Sequence, residues 1–165
     1  YGIVFMPHSE NVILELDNGA PVGAFFKDLG EEAAVVDARV DMPAGLERLQ
    51  VDHGDFTGAQ RALSIHTDVL DGVLRHLAAL FDREGLLTET EFWLTCREVV
   101  LDYERRFPGT LEKLPVLAPQ FKHSCLNRLQ LRNPLSMVNL GDQESSLIYA
   151  GDMDNPLHSP ESTAR

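Results

Sequence analysis

Two short stretches hold the residue types best suited to chemistry: Pro7-His8-Ser9-Glu10-Asn11 and Lys27-Asp28-Leu29-Gly30. Asn and Asp oxygens suit Mg²⁺, a hard cation that takes its other ligands from water and phosphate. Lys27 and His8 carry the charge or hydrogen-bonding capacity to neutralise a phosphate or a carboxylate. Each motif alone is weak. On spacing, two readings stand side by side. One is a nucleotide–metal site; the other is a hydrogen-bonded cluster closing the end of an ordinary hairpin.

The elements that must position these residues are strands. Asn11 to Asp17 is rich in strand formers, Asn18-Gly19 supplies the two positive-φ positions of a type I′ turn, and Pro21 to Lys27 is the return strand. A straight hairpin with that turn sets Asn11 opposite Phe26 and Ser9 opposite Asp28. His8, Glu10, Asn11, Lys27 and Asp28 then converge at its open end. The order is also that of kinases, in which a catalytic-loop Asn precedes, across a hairpin, the Asp-x-Gly that holds metal. Ala33 to Val36 predicts a further short strand, and residues 41–57 a loop with one helical turn at Leu46–Leu49.

Residues 58–132 read as helical. A first helix over about 59–83 carries the stripe Leu63, His66, Leu70, Val73, Leu77 and Leu80 and stops at Gly85. Thr88 and Glu91 form a capping box for a second helix over 89–106. That helix is expected to bury Phe92, Cys96, Val99 and Tyr103, with Trp93 and Val100 on the flank, and to end at Pro108-Gly109. Pro119 suits the first turn of a third helix over 119–131. There Phe121, Cys125 and Leu129 share one face, while Arg128 and Arg132, four apart, form a small basic face near Lys122. Residues 133–165 form a looser tail with a short strand at 146–150. The predicted class is α+β: a β-rich part over 1–57, a helical part over 58–132 and the tail. His66 reads as a core residue, His53, Asp55 and His76 as solvated, Arg75 and Arg97 as paired with helix carboxylates, and Cys96 and Cys125 as small buried hydrophobes.

The chain has 165 residues, enough for one domain, with 14 Lys and Arg against 26 Asp and Glu and a net charge of −12. So acidic a surface repels a phosphodiester backbone, which argues against nucleic acid as a partner. A small anion needs a local cation cluster or a metal. Two cysteines make neither a disulfide framework nor a four-thiolate metal site. No apolar run approaches the ~18 residues of a membrane span, no signal peptide is visible, and the expected location is cytoplasmic. The chain opens on Tyr1-Gly-Ile-Val-Phe-Met6, apolar and strand-like, which predicts a piece of a longer protein.

The string Met6-Pro-His-Ser-Glu-Asn-Val-Ile-Leu-Glu-Leu, the hairpin, and Lys-Asp-Leu-Gly-Glu-Glu resemble the aerobactin-synthetase-like (IucA/IucC) family of siderophore synthetases that work without a peptide synthetase template. Thr67 to Asp71, Lys122 to Leu129, Asn133-Pro134-Leu135, Asp142-Gln143, Ser146-Leu147 and Gly151 to Leu157 resemble later stretches of the family. The likeness covers nearly the whole chain but only the last third of a typical member.

The resemblance implies an ATP-dependent ligase. Members activate a carboxylate of citrate or a related acid as an acyl-adenylate, which a polyamine or hydroxylamine then attacks to give an amide. It implies a hand-like fold, of which this chain is the later half of a distantly kinase-like palm plus a helical thumb. His8 and Asn11 match the family's His-x-x-Asn at the nucleotide and acyl substrate, and Asp28 matches its Mg²⁺-associated Asp. Glu10 stands where many members have Gln, Met6 where many have Glu, and Lys27 where Arg is frequent. By this resemblance His8 and Lys27 are catalytic, His8, Glu10, Asn11 and Asp28 bind ATP, and Asn11 and Asp28 hold Mg²⁺. The basic face of Lys122, Arg128 and Arg132 has two readings, a seat for the anionic substrate or helix-end cations meeting the C-terminal dipole; Lys122 and Arg128 are the substrate candidates, Lys122 first because it matches the family's helix. The partners implied are a small carboxylic acid, a polyamine, the upstream part of the same protein and, as family members form dimers, a second copy.

Three rival functions are set beside this one. A small-molecule phosphotransferase would use the same metal site. A ferric-siderophore reductase, with which part of the family is grouped, would need four cysteine ligands. A non-catalytic interaction module would bind no ATP.

Overall fold

The computed structural model describes residues 2–5, 10–29, 33–54, 56–124 and 149–158. The β-formers of the first forty residues pair in two separate sheets. β1 (Ile3–Phe5) runs antiparallel to β4 (Ala33–Val35), and β2 (Val12–Asp17) runs antiparallel to β3 (Ala20–Phe26). Gly2 prolongs the first sheet, its carbonyl accepting from Val36 N at 2.7 Å. Its φ is +63°, and a Cβ there would lie 2.4 Å from that of Asp37, so only glycine fits.

The hairpin turns as expected, with Asn18 at φ 49° and Gly19 at φ 83°. Its register then departs from the straight count. Leu16 faces Pro21 but Glu15 faces Gly23, so Val22 is an extra residue in β3. Beyond this β-bulge Val12 faces Phe26, and Lys27 N donates to Asn11 O at 3.1 Å. Asn11 therefore stands opposite Lys27, not Phe26.

A 3₁₀ turn (Glu47–Leu49) interrupts the loop that follows, close to the helical turn expected. α1 (Gly58–Ser64) starts at a capping box in which Gln60 N donates to Thr57 Oγ1 and Thr57 N donates to Gln60 Oε1. It runs on through a π-helical segment, Ile65–Leu74, into α2 (Arg75–Arg83). The rod spans the expected residues, but its buried stripe changes phase. His66 and Leu70 are buried as predicted; beyond them Leu74, Ala78 and Phe81 face the core, while Leu77 and Leu80 are exposed. The wide π turn, closed by i→i+5 bonds, advances the stripe by one residue.

α3 (Glu89–Arg106) begins at the predicted box, with Glu91 N donating to Thr88 Oγ1 at 3.2 Å and Thr88 N to Glu91 Oε2 at 2.9 Å. Phe92 and Trp93 are buried against Leu70, Ala78 and Leu157, with Cys96 and Val100 packed on the same cluster. Phe92 meets Phe81 and Trp93 edge to face. Val99 and Tyr103, expected inside, are instead 65% and 51% exposed, because they lie on the opposite flank of the helix. Arg97 also departs from expectation: it donates to the carbonyls of Leu157 and His158 and not to a helix carboxylate. Arg75 does pair with Asp71, at 2.8 Å. Gly109, at φ 85°, precedes the short α4 (Thr110–Lys113).

Where the third helix was expected to begin, the chain is extended, and residues 125–131 of that expected helix lie outside the described residues. Gln120–Ser124 is a strand, β5, antiparallel to β6 (Tyr149–Asp154). Alternation replaces the helical period: Phe121 is buried and its neighbours Gln120 and Lys122 are exposed. The long-range pairing outweighs the local helix signal at Pro119. β6 overlaps the end of the strand predicted at 146–150. Just beyond it Asn155, buried, donates to Val116 O at 2.8 Å and Ala118 O at 2.7 Å and accepts from Leu157 N at 2.9 Å. These bonds fix Leu157 in the core. Cys125, Arg128, Leu129 and Arg132 lie outside the described residues.

Candidate functional site

The bulged hairpin delivers Glu10, Asn11, Lys27 and Asp28 to its open end; His8 lies outside the described residues. Asn11 is buried, and its carbonyl closes the ladder with Lys27 N. Lys27 Nζ pairs with Asp28 Oδ2 at 2.8 Å, both side chains about half exposed (50% and 53%). The hydrogen bond to Asp28 raises the Lys27 pKa; the charges of Asp28 and Glu10 add to this and desolvation opposes it. Glu10 is thus within electrostatic reach of the same ammonium. Asp28 has φ 60°, a left-handed backbone that costs an L-residue about 1–2 kcal/mol, though Asp is among the residues that visit it. Strain of this kind collects at functional sites.

The hairpin end is tied to the first sheet by Phe5 and Phe26, whose rings stack with centroids 5.4 Å apart. Next to them opens a cavity of about 470 Å³ whose other wall includes Ile65, Val100 and Tyr103.

The donor set favours a hard cation. Glu10, Asn11 and Asp28 offer carboxylate and amide oxygens, and no three His, Cys, Asp or Glu converge among the described residues. Such a set fits Mg²⁺ held by one or two carboxylates, with phosphate and water completing the shell, and does not make an all-protein cage. Lys27 already engages Asp28, so a cation bound here would compete with the ammonium for that carboxylate.

Lys122 is not on a helical basic face. It lies in β5, with Nζ 2.8 Å from Asp152 Oδ1 on β6, and Arg128 is outside the described residues. The next residue, His123, approaches Asp71 at 3.6 Å, and Asp71 also holds Arg75. His66 is a core residue as expected. It is 2% exposed, stacks on Phe121 with centroids 4.7 Å apart, and its Nε2 donates to Val116 O at 3.3 Å. Burial lowers its pKa against that hydrogen bond, which favours the neutral ring. Cys96 is half-buried and burial raises its thiol pKa, the opposite of a reactive thiolate.

Sequence reasoning missed one charged pair altogether. Asp52 is fully buried. Its Oδ1 accepts from Gly54 N (2.7 Å) and Phe56 N (3.3 Å), and its Oδ2 accepts from Arg61 Nε (2.9 Å) and the guanidinium terminus (2.8 Å). The Asp-x-Gly order at 52–54 signals the turn; nothing local signals the partner nine residues on.

Residues 1–138 match the family described as "Ferric iron reductase FhuF-like transporter". Putrebactin synthase of Shewanella sp. (strain MR-4) is 38% identical over 160 residues, 95% of this chain and 25% of that protein. Aerobactin synthetase IucC from a hypervirulent Klebsiella pneumoniae superposes with a TM-score of 0.72 at 21% identity, covering 96% of this chain and 28% of that one. Petrobactin biosynthesis protein AsbB from Bacillus anthracis str. Sterne gives 0.70 at 17% identity, covering 99% and 28%. At those identities the solved structures carry the fold alone. The chain spans about a quarter of the length of the curated relatives it matches. Among the described residues no helix is long and apolar enough to cross a membrane. The chain belongs to the FhuF-like family, and its homologues are siderophore synthetases.

Proposed function

We propose that this chain is the metal-binding part of an ATP-dependent ligase of siderophore biosynthesis, which joins a small carboxylic acid such as citrate to a polyamine or hydroxylamine. The observation that carries the reading is the hairpin end, where Glu10, buried Asn11, Lys27 and the left-handed Asp28 collect on a chain 38% identical to a siderophore synthase. In the proposed reaction a carboxylate oxygen attacks the α-phosphorus of ATP and pyrophosphate leaves. The amine then attacks the acyl carbon of the adenylate, and AMP leaves with the amide formed.

The first step brings two anions together, so the site must offset their repulsion. Mg²⁺ supplies charge neutralisation at the phosphates when bound. Asn11 and Asp28 would hold it through their oxygens, with Glu10 beside them. Lys27, released from Asp28, meets the phosphate or the attacking carboxylate, and His8 hydrogen-bonds the acyl or phosphate oxygen. Lys122 and Arg128 are assigned to the acid substrate; for Lys122 this requires the substrate to displace Asp152.

The test is a panel of acids and polyamines given to the full-length protein. AMP and pyrophosphate are expected as products, and Asp28→Ala is expected to abolish their release. ADP as product would convert the reading to a phosphotransferase, and wild-type turnover in Asp28→Ala would overturn the metal site. A cluster-bearing reductase would need four cysteine ligands, and these 165 residues hold two, of which Cys96 is half-buried.

A further inference from the structure

α3 has a second apolar face. Val99, Tyr103 and Phe107 recur every four residues, on the helix and just past its end, and are 65%, 51% and 54% exposed. The Tyr103 and Phe107 rings lie 4.7 Å apart, so the face is a continuous stripe. It runs into the cavity of about 470 Å³, which Val99 and Tyr103 line from one side and Phe5 and Phe26 from the other. Among the described residues the one carboxylate on that wall, Glu104, is engaged by the N–H groups of Gly109 (2.7 Å) and Leu111 (2.8 Å). A contiguous apolar surface of this kind marks a place where protein packs.

We propose that this cavity and stripe receive an apolar segment of the same polypeptide from outside these 165 residues. The proposal rests on reading the chain as part of a longer synthetase. The curated relatives are about four times as long as the matched region, so most of such a protein lies outside it. The neighbouring hairpin points the same way. β2 and β3 form a two-stranded sheet with Ile13, Leu14, Val22 and Phe25 each more than half exposed, and such a hairpin is marginal without a further layer. A second copy is the weaker occupant. To fill it, a second copy would have to present a convex apolar element at the right offset from the two-fold axis, a constraint that a segment of the same polypeptide does not face.

The experiment places the photo-crosslinking residue p-benzoylphenylalanine at Phe107 of the full-length protein, prepared as an equal mixture of isotopically light and heavy chains. Crosslinks from position 107 to peptides outside the 165 residues, found only as light–light and heavy–heavy pairs, are the expected result. Mixed light–heavy pairs would overturn the proposal in favour of a second copy. Absence of crosslinks to outside peptides would overturn it as well. Carbene footprinting of the wild-type protein gives an independent readout, in which Tyr103 and Phe107 should label several-fold less than Leu86, itself 71% exposed. Equal labelling would show the stripe open to solvent and overturn the proposal. None of these readouts uses substrate, so failed pyrophosphate release alongside the expected crosslinks would sink the ligase reading alone.

Discussion

Arg61→Met tests whether the buried charge at the junction of the β-rich and helical parts is held as described. Asp52 is 0% exposed, and four N–H donors share its two oxygens, two from backbone and two from Arg61. Methionine keeps the stem's bulk but strips Oδ2 of both its donors and leaves a buried anion without a counter-charge. Breaking a buried pair in this way costs about 3–5 kcal/mol. The two backbone donors remain on Oδ1, so the lower end, about 3 kcal/mol, is expected. For a chain of this size that lowers Tm by about 6–12 °C. Urea unfolding followed by the fluorescence of Trp93, the sole tryptophan and 1% exposed, reads the change directly. Acid titration supplies a second readout. Burial pushes the Asp52 carboxyl up, but the hydrogen bonds of Gly54, Arg61 and Phe56 outweigh it and hold the carboxyl below its ordinary value. A depressed folded pKa contributes stability that is complete above the unfolded value, about 3.9, and lost as pH falls through the folded one. Without Arg61 the depression weakens, so the variant should unfold at a higher pH on the acid side. Asp52→Asn combined with Arg61→Met removes the stranded charge and should be less destabilised than Arg61→Met alone. A loss under about 1 kcal/mol with an unchanged acid midpoint would refute the reasoning.

Other substitutions separate structure from chemistry. Asp28→Gly removes the carboxylate but suits the left-handed backbone, so thermal stability should hold or rise by about 1 kcal/mol while pyrophosphate release by the full-length protein disappears; retained release would count against Asp28 as a metal ligand. Asn155→Ala strands the Ala118 carbonyl and the Leu157 N–H and leaves Val116 O to His66 alone, which should cost about 2 kcal/mol, seen as a lower urea midpoint at unchanged slope. His66, buried neutral with a lowered pKa, contributes stability that is complete above about 6.5 and declines as pH falls below it toward the folded value. His66→Phe, which preserves the stack on Phe121, should flatten that decline in urea midpoints measured from neutral to mildly acid pH.

Much of the fold was legible because its signals are local. The type I′ turn is written in Asn18-Gly19, the start of α3 in Thr88 and Glu91, its end in Pro108-Gly109, and the stop after α2 in Gly85. Each is a backbone requirement met by two or three adjacent residues. β5 was misread because its reason lies elsewhere: Gln120–Ser124 is a strand only through its pairing with Tyr149–Asp154. Lys122 shows the same limit at the candidate site. Its ion partner, Asp152, comes from the facing strand, and no property of residues 119–131 announces it. The hairpin cluster was visible because turn and strands are contiguous, so topology and chemistry fall in one window of sequence.

The remaining misreadings in β3 and α2 share one physical form: a single residue inserted into a regular element. Val22 bulges β3, and the wide turn at Ile65–Leu74 shifts the helical stripe. Period-based reading assumes an unbroken period, so it fails beyond an insertion even where the element type is right. At the hairpin the insertion bears on chemistry. In a straight register Asn11 would face Phe26 and Ser9 would face Asp28; after the bulge the Asn11 carbonyl meets Lys27 N, and Glu10 acts electrostatically on the ammonium that holds Asp28. A slip of one residue exchanges the faces of a strand. Here it replaces an apolar opposite with a cation and assembles carboxylate, amide and ammonium at one end. The bulge is therefore part of the candidate site, although Val22 has no polar atom in its side chain.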